Sequence, residues 1–196
     1  MNSKIKNIAK EIQVSLIEIR RNFHEIPELA FEEYHTSQMI IEQLKKMKGM
    51  EILTDYAGGT GIVGILQGKK VKSDQCLMIR ADIDALPIEE NNELSYCSKE
   101  KGKMHACGHD AHITWTLGAA MILTQLQEEF SGTVKFVFQP AEETASGARK
   151  MVEEQVLENP KVHIALGAHG FPQYDTGKII IPKKMHFQLQ ELYLLK

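Results

Sequence analysis

Ile113-Thr-Trp-Thr-Leu-Gly-Ala-Ala-Met-Ile-Leu-Thr-Gln-Leu-Gln-Glu-Glu-Phe130, followed after Ser131 and Gly132 by Thr133-Val-Lys-Phe-Val-Phe138, is the stretch that decides the fold. The first run is too long for a strand and apolar nearly all round, which predicts a buried helix. The second is a short apolar run behind a glycine, which predicts a buried strand. Upstream, Cys76 to Arg80 reads as another buried strand. Downstream, Ser146 to Leu157 reads as a helix and Val162 to Ala168 as a strand. Strand, helix, strand, helix, strand is the order of an α/β layered sheet. In such sheets the carboxyl ends of the strands line the ligand crevice. Asp82 and Asp84, Glu142 and Glu143, and His169 each follow one of these strands, so topology alone predicts that they meet at one rim.

The first third of the chain is simpler. Ile5, Ile8, Ile12, Leu16 and Ile19 lie roughly on one face of a helix from Ile5 to Phe23, which Pro27 ends because it disfavours helical dihedrals at Ile26. A second helix is expected from Thr36 to about Lys48, with Thr36 or Ser37 near its cap and Gly49 as its stop. Gly58-Gly-Thr-Gly61 turns into a short strand from Ile62 to Leu66.

Composition excludes several classes. Lys and Arg number 23 against 26 Asp and Glu, a formal charge of -3, and the basic residues are spread along the chain, so there is no footprint for nucleic acid. The longest apolar run is far short of the about 20 residues that span a bilayer, and the amphipathic opening is no secretion signal. Cys76, Cys97 and Cys107 form no disulfide framework, which fits a reducing cytoplasm.

The chemistry concentrates in Met104-His-Ala-Cys-Gly-His-Asp-Ala-His112. A thiolate at Cys107 and an imidazole at His109 make a metal clamp. With nearby carboxylates such donors suit zinc, manganese, cobalt or nickel better than calcium or magnesium, which prefer oxygen alone. Singly, each residue has a blander reading. Cys107 would be a small buried hydrophobe, but that leaves His109 beside it unexplained. Glu142 and Glu143 would be a solvated helix start, Asp82 and Asp84 the cap of a turn before Leu86-Pro87, and His169 a loop histidine. Taken as a set they favour a metal centre with a water at an open position, one glutamate as ligand and its neighbour as general base. Spacing does not say which glutamate does which. His105 and His112 flank the clamp as candidates to support it, and His24, His35, His163 and His186 read as structural or exposed.

Arg20-Arg-Asn-Phe-His-Glu-Ile-Pro-Glu-Leu29, Arg80-Ala-Asp-Ile-Asp-Ala-Leu-Pro87, the clamp, Phe138-Gln-Pro-Ala-Glu-Glu143 and Gly167-Ala-His169 resemble the successive signatures of one group. It is the dinuclear-metal amidohydrolases that include hippurate hydrolase, N-acyl-amino-acid amidohydrolases, N-acetyl-diaminopimelate deacetylase and the auxin-conjugate hydrolases. The match runs in order from about Lys10 to Ile179, and a cysteine in the clamp is specific to this branch of a wider metallopeptidase family. The resemblance implies a three-layer α/β/α catalytic domain and two divalent metal ions (Mn, Zn, Co or Ni). Cys107, His109, Glu143 and His169 would bind them, Cys107 as the bridge. Glu142 would be the base, and Asp84 would support a ligand from behind. Asp82 stands where the broader family often has a ligating histidine and is not assigned to the metal. The implied reaction is hydrolysis of N-acyl amino acids by metal-activated water, on a small-molecule substrate, by an enzyme whose full-length relatives form homo-oligomers.

Relatives in that group continue into a lid and dimerisation domain and then return with a final histidine ligand. Residues 1–179 are therefore expected to be the N-terminal part of a catalytic domain, and 180–196 an atypical tail where the lid would begin. Such a chain is expected to be a weak or inactive enzyme and prone to aggregate. The competing reading is a non-catalytic fragment that keeps metal or partner binding. A cysteine hydrolase using Cys107 and His109 is disfavoured, because it leaves the glutamate pair idle.

Overall fold

A computed structural model describes residues 2–181, so the apolar tail and His186 lie outside the described residues. Its helices are α1 (Asn2–His24), α2 (Tyr34–Lys45), α3 (His109–Gln125) and α4 (Gly147–Glu153). Its strands are β1 (Met50–Tyr56), β2 (Gly61–Gln67), β3 (Cys76–Asp82), β4 (Thr133–Gln139) and β5 (Ile164–Gly167). They form one mixed sheet in the order β1-β2-β4-β3-β5. β1 and β2 are antiparallel to their neighbours, and β3 is parallel to both β4 and β5. Among the described residues no helix is long and apolar enough to cross a membrane.

The three layers follow from side-chain alternation along the central strands. Val134, Phe136 and Phe138 of β4 and Ile62 and Leu66 of β2 face a core shared with Ile19 and Phe23 of α1, Ile40 and Leu44 of α2, and Ile113, Leu117 and Ala120 of α3. Burying each large side chain contributes about 1.5–3 kcal/mol, so this face supplies most of the cohesion. On the opposite face Val63, Ile65 and Val137 meet Met151 and Val156, and among the described residues the second helical layer is the short α4 alone. There Lys135, also buried, donates its ammonium to the carbonyls of Val156 and Glu158, which satisfies a cation that would otherwise destabilise the core. β5 is exposed on both faces, leaving Ile164 and Leu166 in solvent.

The parallel register sets the rim. Asp82 lies beside Gln139 and Arg80 beside Gly167, so β3, β4 and β5 end at one edge of the sheet. α3 runs back against that direction to reach the start of β4, which brings its own N-terminus to the same edge.

Several boundaries differ from the sequence expectation. α3 begins at His109, four residues before Ile113, because Gly108 at φ 87° turns the chain into the helix and its first turn is polar rather than apolar. α2 starts at Tyr34 with Glu33 at its cap position, and neither Thr36 nor Ser37 caps it. The carboxylate of Glu28 accepts the free amides of His35 and Thr36 instead. α4 and β5 are shorter than predicted. β1 was not expected at all: it is an edge strand, half-buried and interrupted by Glu51 and Asp55, so it lacks a clean apolar pattern.

Two glycines mark close approaches. A Cβ on Gly147 would lie 1.7 Å from the carbonyl oxygen of Pro140, a backbone atom that cannot step aside. At Gly118 it would meet only a Leu16 methyl, at 3.0 Å. Gly147→Ala should therefore lower stability by roughly 2 kcal/mol or more. Gly118→Ala should stay within about 1 kcal/mol of the parent, since a shift of Leu16 is offset by better helix propensity. Chemical denaturation midpoints of the two variants would separate them, and equal values would contradict the packing described.

Candidate metal centre

Cys107 and Gly108 lead into α3, His109 and His112 sit in its first turn, Asp82 closes β3 with Asp84 just beyond, and Glu142 and Glu143 follow β4. His169 follows β5. Of the residues picked from the sequence, Cys107, His109 and His169 bring donor atoms within 4.8 Å of one another, as do His109, Glu142 and Glu143. Asp82, His109 and His112 form a third such group.

His109 is the hub. Its Nδ1 donates to the backbone carbonyl of Asp84 at 2.9 Å and to the Asp84 carboxylate at 3.2 Å, which leaves Nε2 pointing into the cluster. Among the described residues that Nε2 has no hydrogen-bond partner, and neither does buried Oε1 of Glu143, 3.7 Å away. Glu142 Oε2 stands 3.8 Å from the same nitrogen. Burial works against an imidazolium here, but the Asp84 bond, Cys107 and the charge of Asp82 prevail and push His109 up to about 11. The carboxylates that favour a proton on this ring would equally favour a cation beside it. Cys107 is lowered by its neighbours His109 and His169. Glu142 is raised, first by burial and then by the charge of Asp82.

The supporting groups are equally specific. Asp84 Oδ2 accepts the amide of Glu143 at 2.9 Å, so one carboxylate fixes both His109 and the glutamate loop. Asp82 Oδ1 accepts from His112 Nδ1 at 2.6 Å and Oδ2 from Arg80 at 2.8 Å. Burial would raise Asp82, but the His112 bond and the Arg80 guanidinium hold it well below the ordinary carboxylate range. His112 Nε2 accepts the amide of Gly170 at 3.0 Å. Both nitrogens of His112 are thereby occupied, and the ring acts as a tie between β3 and the His169 loop. His169 Nδ1 donates to the Gly170 carbonyl at 2.8 Å and turns Nε2 to Cys107 Sγ at 3.4 Å.

Among the remaining histidines, His35 is exposed and His163 accepts the amide of Cys76. His24 is buried and structural, joining Asp110 at 2.8 Å to Glu90 at 3.1 Å. Arg20 reaches the same Asp110 oxygen at 2.7 Å, which locks α1 onto the first turn of α3. His105 is buried beside the clamp with neither nitrogen bonded, and desolvation lowers it to about 4. Sequence reasoning missed Glu33, whose carboxylate reaches the Ala141 amide. It stands in an acidic surface-like run and carried no signal. A cavity of about 470 Å³ opens beside Cys107, with Leu94, Tyr96, Trp115 and Phe171 in its walls.

The donor set fits a transition-type divalent ion on the evidence of the orphaned, buried Nε2 of His109 and Oε1 of Glu143. A thiol, two imidazoles and carboxylates surround that point, with none of the all-oxygen character that calcium or magnesium demands.

Residues 78–187 match peptidase family M20/M25/M40. The chain is 42% identical over 176 residues to thermostable carboxypeptidase 1 of Saccharolobus solfataricus, covering 89% of this chain and 44% of that protein. It is 44% identical over 170 residues to an N-acetylcysteine deacetylase of Bacillus subtilis, covering 87% of this chain and 43% of that protein. Among solved structures, the Bacillus subtilis YXEP protein, a dinuclear metal binding peptidase from the M20 family, superposes with a TM-score of 0.77 at 44% identity. That superposition covers 84% of this chain and 44% of the other. The chain thus spans less than half the length of these relatives.

Two outcomes follow from the site. Cys107→Ala should lower bound metal per chain after dialysis, while Cys76 and Cys97 variants keep it; equal loss in all three would mean the clamp is no site. Because an ion must expel the His109 proton, binding should release protons and strengthen from pH 6 to pH 8. Isothermal titration in buffers of different ionisation enthalpy reads this directly, and pH-independent affinity would contradict it.

Proposed function

Because the chain belongs to peptidase family M20/M25/M40, we propose that the complete protein hydrolyses the amide bond of N-acyl amino acids with two divalent metal ions, Mn, Zn, Co or Ni. Residues 1–179 are then the N-terminal part of the catalytic domain, and a lid domain begins from 180 onward. The observation that carries this reading is the meeting of an unpartnered His109 Nε2, an unpartnered Glu143 Oε1 and the Cys107–His169 pair, with Glu142 at hand and unused for structure.

In this mechanism Cys107, His109, Glu143 and His169 would hold the ions. When bound, the ions polarise the amide carbonyl and lower the pKa of a water at the site. Glu142, its affinity for protons raised by burial, would take a proton from the water at Oε2 as the water oxygen bonds to the carbonyl carbon, and deliver it to the amide nitrogen as the C–N bond breaks. Asp84 keeps Nδ1 of His109 protonated and Nε2 free to ligate, which fixes tautomer and ring orientation. The acyl group enters the cavity walled by Leu94, Tyr96, Trp115 and Phe171, whose apolar and aromatic character suits acetyl, benzoyl or similar groups. On this reading residues 1–196 by themselves are a weak or inactive enzyme, and Ile164 and Leu166 on the exposed strand β5 favour self-association.

In the complete protein, Glu142→Gln should keep the metals and lose about 10²- to 10⁴-fold in kcat against hippurate or N-acetyl amino acids. Glu143→Gln should lose metal as well. A metal-free Glu142 variant beside a fully loaded Glu143 variant would exchange the two roles.

A further inference from the structure

Glu33 is fully buried, yet the mechanism above makes no use of it. Its Oε1 accepts the amide of Ala141 at 2.9 Å, and its Oε2 has no partner among the described residues. Burying a carboxyl group with one oxygen unsatisfied is costly. The helix it precedes does not explain that cost, because Glu33 makes no side-chain cap bond to α2 and Glu28 accepts the helix amides.

The amide that Glu33 holds belongs to a strained residue. Ala141 has φ 52°, in the left-handed region that residues with a Cβ rarely enter, and it directly precedes Glu142. Within the same loop its carbonyl accepts the amides of Ser146 at 3.3 Å and Gly147 at 3.1 Å, so the turn closes on itself around Glu142 and Glu143. Two residues after Ala141, the amide of Glu143 goes to buried Asp84. Two buried carboxyl groups from different parts of the chain therefore grip alternate amides of one loop.

We infer that Glu33 is a positioning residue: through the Ala141 amide it holds the Pro140–Gly147 loop in the form that brings Glu142 and Glu143 to His109. This rests on the reading of Glu143 as a metal ligand and Glu142 as its neighbouring base. Asp84 grips the loop downstream of Glu142, and Glu33 supplies the grip upstream of it.

The test is a cobalt(II) titration of the chain and of its Glu33→Ala and Glu33→Gln variants. Visible d–d bands report the coordination number and geometry of the bound ion, and the near-ultraviolet thiolate charge-transfer band reports Cys107. Glu33→Gln keeps an acceptor for Ala141 and should bind like the parent. Glu33→Ala should weaken cobalt binding about 10- to 100-fold, as loss of a supporting group does, and alter the d–d bands while the Cys107 band persists at saturation. Parental affinity and spectrum in Glu33→Ala, or an equal loss in Glu33→Gln, would overturn the proposal. Should Glu33→Ala fail to fold, hydrogen exchange at Ala141 decides: it should be slow in the parent and in Glu33→Gln, and exchange at the rate of an exposed amide would overturn the proposal. A parent chain that binds no cobalt would instead sink the metal-centre reading, leaving exchange at Ala141 to judge Glu33.

Discussion

The buried carboxylate of Asp84 is the constraint on which the site depends. One oxygen takes His109 Nδ1 from the first turn of α3, and the other takes the Glu143 amide from the loop after β4. Asp84 itself stands two residues beyond the end of β3. Three segments distant in sequence are thereby held at one point by a single side chain with both oxygens satisfied, which is the condition under which a buried carboxylate is tolerated. Removing it would leave the Glu143 amide unpaired and the His109 ring held by the Asp84 backbone carbonyl alone, so two segments would loosen at once.

Around Asp84 the electrostatics are those of a site built for a cation. Asp82, Asp84, Glu142 and Glu143 crowd one imidazole, and His109 answers by holding its proton far above the usual histidine range. Asp82 is paired from the other side by Arg80 and His112, and through His112 it is tied to the Gly170 amide in the His169 loop. A second buried network, Arg20, His24, Glu90 and Asp110, stands behind α3 and gives the Arg20 to Leu29 segment a physical reason: it clamps α1 to the turn that carries His109. Rigid support of this kind is what keeps metal ligands oriented.

Much of the architecture was legible because burial imposes period. The runs over Cys76–Arg80, Ile113–Phe130 and Thr133–Phe138 are apolar in patterns that only buried strands and a buried helix satisfy, and the structure has β3, α3 and β4 there. What escaped lacked such a pattern. β1 is half-exposed at an edge, and the first turn of α3 is polar because it faces the site rather than the core. The start of α2 was misplaced because its capping carboxylate, Glu28, comes from outside the local window. The two antiparallel strands gave no sign of their direction, since direction depends on how the chain returns.

The sequence by itself determined an α/β sheet and the meeting of Asp82, Asp84, Glu142, Glu143 and His169 at its carboxyl edge, because parallel strands have one such edge and these residues follow them. That Cys107 and His109 join them there came from the start of α3, which the sequence pattern did not place. Only the tertiary structure decided which of their atoms remain free. Whether a histidine nitrogen is bare or bonded, and whether a glutamate such as Glu33 is solvated or buried against a strained loop, depends on partners as many as 108 residues away. Hydrogen-bond satisfaction is a property of packed neighbours, and no local pattern of residues encodes it.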